Sequence, residues 1–401
     1  MVKAQGITIP MKPGVSKLLD EASYRLIMSL FEIDPHNEKI LVRKTGLAVN
    51  ELRRRFRELK RRGYLRVYAV VSHRRLGLRR FHVFLEASYV RFDLMSKILT
   101  KPIYWRTMAR CYGDFNGYYC LYLCPNDQVS LLESLLKKLV EYGIIRRYKL
   151  IEMLDSWFCK PSLEYYDFSR GKWRLSLRDW ITTIDAEESQ MPSMLRETPP
   201  REEFDVVDLY MLEKLEADGA KPIFELARSM GISASKAYYH YSNHLIGRKL
   251  ILQYKPIVYT FNVNVSYYII VFMKAKSRAI LAKILNSLRG RPFVKALSRS
   301  PSGNWCAVLM YIPRHALISL YRVLSKLVYE GYVSEYTMGI LDNRARLTQS
   351  LEYPKLYLED IGAWKPVVWY DEELMEKVAE QVSRVRSLEQ SFSSASIYYQ
   401  P

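Results

Sequence analysis

The sequence predicts an α+β protein in which one arrangement, a small helical head followed by a β-α-β-β-α-β body, occurs twice along the chain. Two observations carry this prediction. Segments of the first half recur about 185 to 190 residues later, and in each half short helical segments precede alternating apolar stretches typical of strands. The duplication implies that the two bodies meet within one polypeptide as an internal pseudo-dimer.

The repeat is visible in matched residues that keep one register. Residues 20–30 align with 205–215, and Ser-Leu-Glu-Tyr occurs both at 162–165 and at 350–353. Gly46 aligns with Gly231, and each supplies the turn between two helices, where a positive φ favours glycine. Matches that keep register over a whole half predict a tandem repeat.

Each half has the same predicted elements in the same order. Apolar spacing at Leu26, Ile27 and Leu30 predicts the first helix, the stretches 65–71 and 81–89 predict strands, and 127–142 predicts a long amphipathic helix. The predicted segments are an N-terminal arm at 1–17, winged helix-turn-helix heads at 18–78 and 204–262, ferredoxin-like bodies at 79–160 and 263–345, a linker at 161–203, and a C-terminal extension at 346–401.

Composition indicates a polyanionic partner. Lys and Arg number 61 against 42 Asp and Glu, which gives a formal net charge of +19. The longest apolar stretch, 265–273, is about half the roughly 20 residues of a spanning helix, so we expect a cytoplasmic, nucleoid-associated protein without a membrane partner. The five cysteines lack Cys-x-x-Cys spacing, so no disulfide framework and no metal site is predicted.

The sharpest pattern is a basic helix at about 50–62. Leu52, Phe56 and Leu59 form one apolar stripe, and arginines crowd the opposite side. Residues 39–80 contain fifteen Lys or Arg and two acidic residues, Glu51 and Glu58. A helix of this kind fits the major groove of DNA, where Arg reads guanine and Asn reads adenine. The predicted base contacts are Asn50, Arg53, Arg54 and Arg57, and the predicted phosphate contacts are Lys44, Arg61, Arg62, His73, Arg74 and Arg75.

The second head has the same layout and a weaker charge. Residues 223–265 contain five Lys or Arg and one acidic residue. An auxiliary DNA contact is favoured over a packing role, through Ser235, Lys236, Tyr238, Tyr239 and His240.

Each half resembles the Lrp/AsnC feast/famine regulators. The resemblance rests on residues 20–30, the turn at Gly46, the Tyr-x-Val-Val…Leu-Gly wing at 68–77, and Gly-Asp-Phe-Asn at 113–116. It implies bodies that pack sheet against sheet, double-stranded DNA as partner, and an amino-acid effector bound between bodies; a further homodimer is left open. The implied effector residues are Gly113, Asp114 and Asn116, although a plain structural turn is the favoured interpretation there.

The predicted function is a sequence-preferring, DNA-binding transcription regulator that is not an enzyme and needs no cofactor. One alternative is an enzyme similar to the siroheme decarboxylases, which resemble the same two-part architecture. The other is a co-regulator or scaffold that binds protein instead of DNA. The sequence disfavours the enzyme hypothesis, because only His82 and His315 of the six histidines lie in a predicted body, and their positions in the two bodies are not equivalent.

Overall fold

The computed structural model describes residues 20–87, 90–175, 177–196 and 198–396, with side chains as far as Leu388. The predicted N-terminal arm, 1–17, lies outside the described residues. Within this part of the chain, no helix combines the length and the apolar character that crossing a membrane requires.

The first head is a winged helix-turn-helix. The Asp20 and Asn37 side chains cap its first two helices, and Gly46, with φ of 70°, ends the second. Its elements are α1 (Glu21–Ser29), α2 (Glu38–Thr45), α3 (Val49–Arg61) and the wing strand β1 (Val67–Val71).

The first body follows in ferredoxin-like order. Side chains on both faces of its central strand, Gly117–Pro125, are buried. The apolar face of its long helix buries Leu132, Leu136 and Leu139. Its elements are β2 (Leu78–Glu86), α4 (Phe92–Leu99), β3 (Trp105–Gly113), β4 (Gly117–Pro125), α5 (Val129–Glu141), β5 (Arg147–Met153) and β6 (Trp157–Phe158).

The segment predicted as a linker contains four short elements. The strands β7 (Tyr166–Asp167) and β8 (Lys172–Trp173) pack on the first head, where Tyr166 contacts Tyr24, whereas α6 (Leu177–Thr183) and α7 (Ser193–Arg196) pack on the second body. Trp180 is fully buried, and its indole N–H donates to the Ser287 hydroxyl at 2.9 Å.

The second head repeats the first. It consists of α8 (Val206–Ala217), α9 (Ile223–Met230), α10 (Ala234–Tyr239), a π-helical continuation at His240–Gly247, and the wing strand β9 (Ile251–Pro256). The segment that carries the predicted contacts of this head is thus α-helical as far as Tyr239 and π-helical from His240.

The second body has the same order as the first. Its elements are β10 (Ser266–Ala275), α11 (Arg278–Leu288), β11 (Val294–Arg299), β12 (Trp305–Pro313), α12 (Leu317–Tyr329) and β13 (Val333–Thr348). The C-terminal extension then forms α13 (Tyr353–Leu356), β14 (Tyr357–Leu358), β15 (Ala363–Trp364) and α14 (Glu372–Ser396), and it packs back on the first half, where Trp364 donates to the Leu76 carbonyl.

The two bodies form one continuous sheet of nine strands. Its order is β5-β2-β4-β3-β13-β10-β12-β11-β6, and each half contributes the ferredoxin-like order of four. Because β6 follows β5 after only three residues, the strand order returns to its start. The two four-stranded layers therefore face each other, and Phe84 of β2 meets Phe272 of β10 with ring centroids 5.5 Å apart. This is the expected internal pseudo-dimer.

The wings pair with each other instead of standing free. Strands β1 and β9 form a separate two-stranded antiparallel sheet, with Tyr68 opposite Lys255. This wing sheet covers one end of the space between the two layers, and Tyr68 and Lys255 line the cavity there.

Candidate functional site

The arginines of α3 are exposed but largely paired with carboxylates. Arg53 donates two hydrogen bonds to Glu38, at 2.5 and 2.7 Å. Arg54 donates to Glu51 at 2.8 Å and to Glu58 at 3.2 Å. The predicted stripe exists, yet acidic neighbours neutralise much of it. Of the other predicted contacts on this head, Lys44 and Arg62 also lie beside glutamates, whereas Asn50, Arg57 and Arg61 are exposed.

The wing residues of the first head turn inward, which contradicts the predicted phosphate contacts. His73 is 5% exposed and lies between Asp155 and the Tyr353 hydroxyl. Arg74 pairs with Glu152 at 2.7 Å, and Arg75 pairs with Glu202. The reason is that the wing sheet lies over the two bodies, so its turn points into the protein.

The predicted contacts of the second head divide in the same way. Ser235, Lys236, Tyr238 and Tyr239 are exposed on α10. His240 is buried and its Nδ1 lies 2.9 Å from Asp208 Oδ1. His240 therefore does not offer its ring to a partner outside the head.

The turn at 113–116 joins the two bodies. The Asp114 carboxylate accepts a hydrogen bond from the Met338 N–H at 2.8 Å, and Asn116 accepts one from Arg110. Gly113 has φ of 123°, and a side chain there would meet the Met338 carbonyl at 2.7 Å. These contacts give the turn a structural role between the two bodies, and binding of an effector by Gly113, Asp114 and Asn116 stays a prediction.

The place best suited to bind a ligand is a central cavity between the two layers, under the wing sheet. It consists of two adjoining chambers of about 470 and 450 Å³, a volume typical of ligand sites. Both chambers share Phe158, Lys255, Ile257, Leu309, Arg346 and Thr348. Flat or apolar side chains supply much of the remaining wall, among them Tyr68, Tyr119, Leu121, Tyr268, Ile270 and Tyr311.

The lining of this cavity is strongly basic. We call five of its side chains the central cations: Arg80, Arg106, Lys255, Lys295 and Arg346. Glu216 is the one carboxylate among the lining residues, and it pairs with Arg106 at 2.6 Å. In the described part of the chain, no carboxylate lies within 4.0 Å of the charged nitrogens of Arg80, Lys255 or Arg346. The cavity thus carries an excess of positive charge.

Burial shifts the pKa of both central lysines. Burial, together with the charge of the neighbouring Arg106, lowers the pKa of Lys255 to about 8, and burial lowers the pKa of Lys295 to about 7. The Lys255 ammonium lies 3.9 Å from the Phe158 ring centroid, a cation–π contact that replaces a carboxylate partner.

Unpartnered polar atoms concentrate at this cavity. Five buried side-chain nitrogen or oxygen atoms lack a hydrogen-bond partner among the described residues, and three of them belong to cavity residues: Nε of Arg80, Nε of Arg346 and Nε2 of His82. Such atoms are rare because each costs desolvation free energy of about 1–3 kcal/mol. Their clustering at one place is typical of a binding site.

Two histidines, His73 and His82, line the cavity. Of these, His82 has a ring nitrogen, Nε2, without a hydrogen-bond partner among the described residues. Its Nδ1 lies 2.7 Å from the Tyr119 hydroxyl. Burial, and secondarily the charge of Arg80, hold the pKa of His82 well below its usual value. The imidazole is therefore neutral in the free protein, and Tyr119 can fix its tautomer.

A hydrogen-bonded chain supports the wall on the side of the first wing. The Tyr353 hydroxyl donates to Glu216 at 3.0 Å and lies 2.9 Å from Nε2 of His73, whose other nitrogen faces Asp155. Tyr353 ends the second Ser-Leu-Glu-Tyr repeat. The matched motif thus holds Glu216 and, through it, Arg106.

Sequence reasoning missed the central cations because they lie on five different strands. One local signal was available: Arg80 and His82 are two residues apart in β2 and so share a face, next to the apolar run from Val83 to Leu85. Charged side chains on a doubly covered strand point to a buried polar site.

Neither a protein-family model nor a curated protein sequence matches this chain. Among solved structures, the siroheme decarboxylase NirDL is similar over 91% of this chain and 99% of its own, at 12% identity and a TM-score of 0.47. Its complex with an iron-uroporphyrin III analogue aligns over 90% and 99% at 14% identity and a TM-score of 0.46. An AsnC family transcriptional regulator from Agrobacterium tumefaciens covers 33% of this chain and 89% of its own, at 16% identity and a TM-score of 0.28.

These likenesses, at 12–16% identity, concern the fold alone. The chain has two winged helix-turn-helix heads and two ferredoxin-like bodies. The solved structure that aligns over nearly the whole chain is that of an enzyme, whereas the regulator aligns over a third of it, so the expectation of a DNA-binding regulator that is not an enzyme is withdrawn.

Proposed function

We propose that this chain is an enzyme that binds a polycarboxylate tetrapyrrole in the central cavity and removes carboxyl groups from it. The observation that carries the proposal is the set of central cations, of which four, Arg80, Lys255, Lys295 and Arg346, have no carboxylate partner in the described part of the chain. Siroheme, the substrate named for the solved decarboxylase, belongs to this ligand class: an iron tetrapyrrole with carboxylates around its rim.

The charge balance of the cavity favours a ligand with several carboxylates. Keeping an unpaired cation away from water costs several kcal/mol, and an anion that pairs with it recovers that cost. A ligand with one carboxylate, such as an amino acid, would leave most of the central cations unpaired. A polycarboxylate can pair with all of them at once.

The shape and polarity of the walls favour a flat, largely apolar ligand body. Tyr119, Leu121, Ile270 and Leu309 line the floor contributed by the two layers, and Phe158 lies at the junction of the chambers. Aromatic and aliphatic walls with a few charged groups are typical of small-molecule sites. The macrocycle would pack against these side chains while its carboxylates reach the central cations.

His82 is the residue that we assign to proton transfer. Decarboxylation breaks the bond between the carboxylate carbon and its neighbour, releases CO₂, and leaves an electron pair on the neighbouring carbon, which must accept a proton. A substrate carboxylate that pairs with Arg80 offsets the lowering of the His82 pKa by Arg80, while burial, the larger cause of that lowering, remains. His82 would take up a proton from solvent and donate it from Nε2 to that carbon, which returns the imidazole to its neutral form, while Tyr119 holds Nδ1.

Titration of the full-length protein with iron uroporphyrin III tests the binding step. We expect a saturable change of the Soret band with one ligand per chain, and loss of carboxyl groups from siroheme by mass spectrometry. ATP is the matched control ligand, because it carries several negative charges without a macrocycle. Absence of a saturable change, or equally tight binding of ATP, would overturn the proposal.

Ligand affinity should depend on pH in a direction set by the central lysines. Lys295 and Lys255, with pKa values of about 7 and 8, are charged at low pH, and an anionic ligand binds the charged form. Affinity should therefore be constant below pH 7 and fall by up to about tenfold per pH unit for each lysine above its pKa. Soret titrations from pH 6 to pH 9 measure this. The variant Lys295→Met should lose the first part of the fall, and an affinity that rises with pH would contradict the assignment.

A further inference from the structure

Four metal-ligating side chains meet inside the second head, at a place that the proposed function does not use. They are Asp205 and Asp208 at the start of α8, and His240 and His244 on the π-helical segment. One ligand atom from each lies within 4.8 Å of all the others. None of these four residues lines the central cavity.

The cluster is tightly held and mostly buried. Asp208 is fully buried, and its carboxylate lies 2.9 Å from Nδ1 of His240 and 2.9 Å from Nδ1 of His244. Asp205 is the more open member, with 43% of its side chain exposed and Oδ2 at 3.6 Å from Nδ1 of His240. The two histidines are one helical turn apart, which places both rings on the same face.

The first head has different residues at the equivalent positions. In the register of 185 residues, Asp205, Asp208, His240 and His244 correspond to Asp20, Ser23, Arg55 and Leu59. There, the Arg55 guanidinium donates to both oxygens of Asp20, at 2.7 and 2.6 Å, and to the Ser23 hydroxyl at 2.9 Å. A positive group thus bridges the first and third helices of that head.

In the second head, neither a lysine nor an arginine takes the place that Arg55 has in the first head. Two carboxylates and two imidazoles stand where the first head has one carboxylate and one guanidinium. Among the described residues, no Lys or Arg lies within 4.0 Å of the Asp205 or Asp208 carboxylate. The equivalent place therefore has the ligands for a cation and lacks a fixed one.

We propose that Asp205, Asp208, His240 and His244 bind a divalent transition-metal ion such as Zn²⁺. Imidazole nitrogens and carboxylate oxygens are its usual partners, whereas Ca²⁺ and Mg²⁺ prefer sites made of oxygen alone. Bonds of about 2.0–2.1 Å in tetrahedral geometry place ligand atoms about 3.3 Å apart. Three of the ligand-atom separations, at 2.9, 2.9 and 3.6 Å, bracket that value, and all four ligand atoms lie within 4.8 Å of one another, so rotation of these side chains would close the site around an ion.

The ion would clamp the start of α8 to the helix that follows α10. It would take the part that Arg55 has in the first head. Because α8 ends beside Glu216, which pairs with Arg106, the clamp would also fix the helix that carries one wall residue of the central cavity. The metal has no part in the decarboxylation step.

The test is metal binding by the full-length protein after treatment with a chelator. Calorimetric titration with Zn²⁺ and the visible absorption of Co²⁺ should both show one ion per chain, and Zn²⁺ should raise the melting temperature. These readouts need no tetrapyrrole, so their result is independent of the proposed enzymatic function.

Two variants locate the site. Asp205→Asn keeps a side chain that caps α8 but removes a charged ligand, and His244→Gln removes an imidazole. Each should weaken Zn²⁺ binding by more than about 100-fold, since even the loss of a supporting partner costs 10–100-fold. His315→Gln, at an exposed histidine of the second body, is the matched control and should bind as the unaltered protein does. Equal affinity in all four proteins, or no binding by the unaltered chain, would overturn the assignment.

Discussion

Replacing Arg80 or Arg346 by Met is expected to weaken binding of iron uroporphyrin III by about 10- to 100-fold each, while the protein stays folded. Each guanidinium has a buried Nε without a partner, and a ligand carboxylate would complete it. A hydrogen bond to a charged group is worth about 1.5–3 kcal/mol, and every 1.4 kcal/mol is a factor of ten in affinity. Soret titration of the two variants measures the effect.

The same two variants should be more stable than the unaltered protein in the absence of ligand. An unpaired, partly buried cation opposes folding, and an apolar side chain of similar length removes that cost. Loss of binding together with a higher melting temperature distinguishes a ligand contact from a structural role. Arg57→Met, at an exposed arginine of α3, should change neither quantity. A cavity variant that unfolds at lower temperature and binds normally would show that the arginine is structural.

Replacing His82 by Gln is expected to lower the decarboxylation rate by about 10²- to 10⁴-fold, the range for loss of a general acid, with little change in tetrapyrrole affinity. Gln keeps a polar group but cannot carry the proton. Its expected effect is therefore on turnover and not on binding. Single-turnover conversion of siroheme, followed by mass spectrometry, separates the two quantities.

Tyr119→Phe provides the companion variant for His82. It removes the hydroxyl that lies 2.7 Å from Nδ1 and leaves the ring in place. We expect a smaller fall in rate and a shifted pH profile, because the Tyr119 hydroxyl positions His82 and does not itself donate the proton to the substrate. An unchanged rate in His82→Gln would exclude His82 as the proton donor.

The fold was largely predictable from the sequence because its signals are local and occur twice. Capping residues such as Asp20 and Asp205, the turn glycines Gly46 and Gly231, and the alternation of β1 each act within a few residues. The segment 161–203 was less predictable. Its α6 and α7 are short, and burial of Trp180 against the second body decides their position.

The basic stripe of α3 shows why the predicted site did not give the function. The stripe itself is real and follows from helical periodicity. Two of its carboxylate partners, however, come from outside the helix: Glu38 reaches Arg53 from α2, and Asp20 reaches Arg55 across 35 residues. Helical periodicity shows which charged residues share one face of a helix. It does not show which carboxylates of neighbouring elements pair with them.

By itself, the sequence determined the two-fold repeat, the order of heads and bodies, and the excess of positive charge, since these depend on composition and on spacing within single elements. Only the tertiary structure decided where the unpaired part of that charge lies. Arg80, Arg106, Lys255, Lys295 and Arg346 are up to 266 positions apart and meet because two layers face each other beneath paired wings. Burial among them, and not their number in the chain, is what makes them a site for a polyanion, because removal from water is what makes an unpaired charge costly.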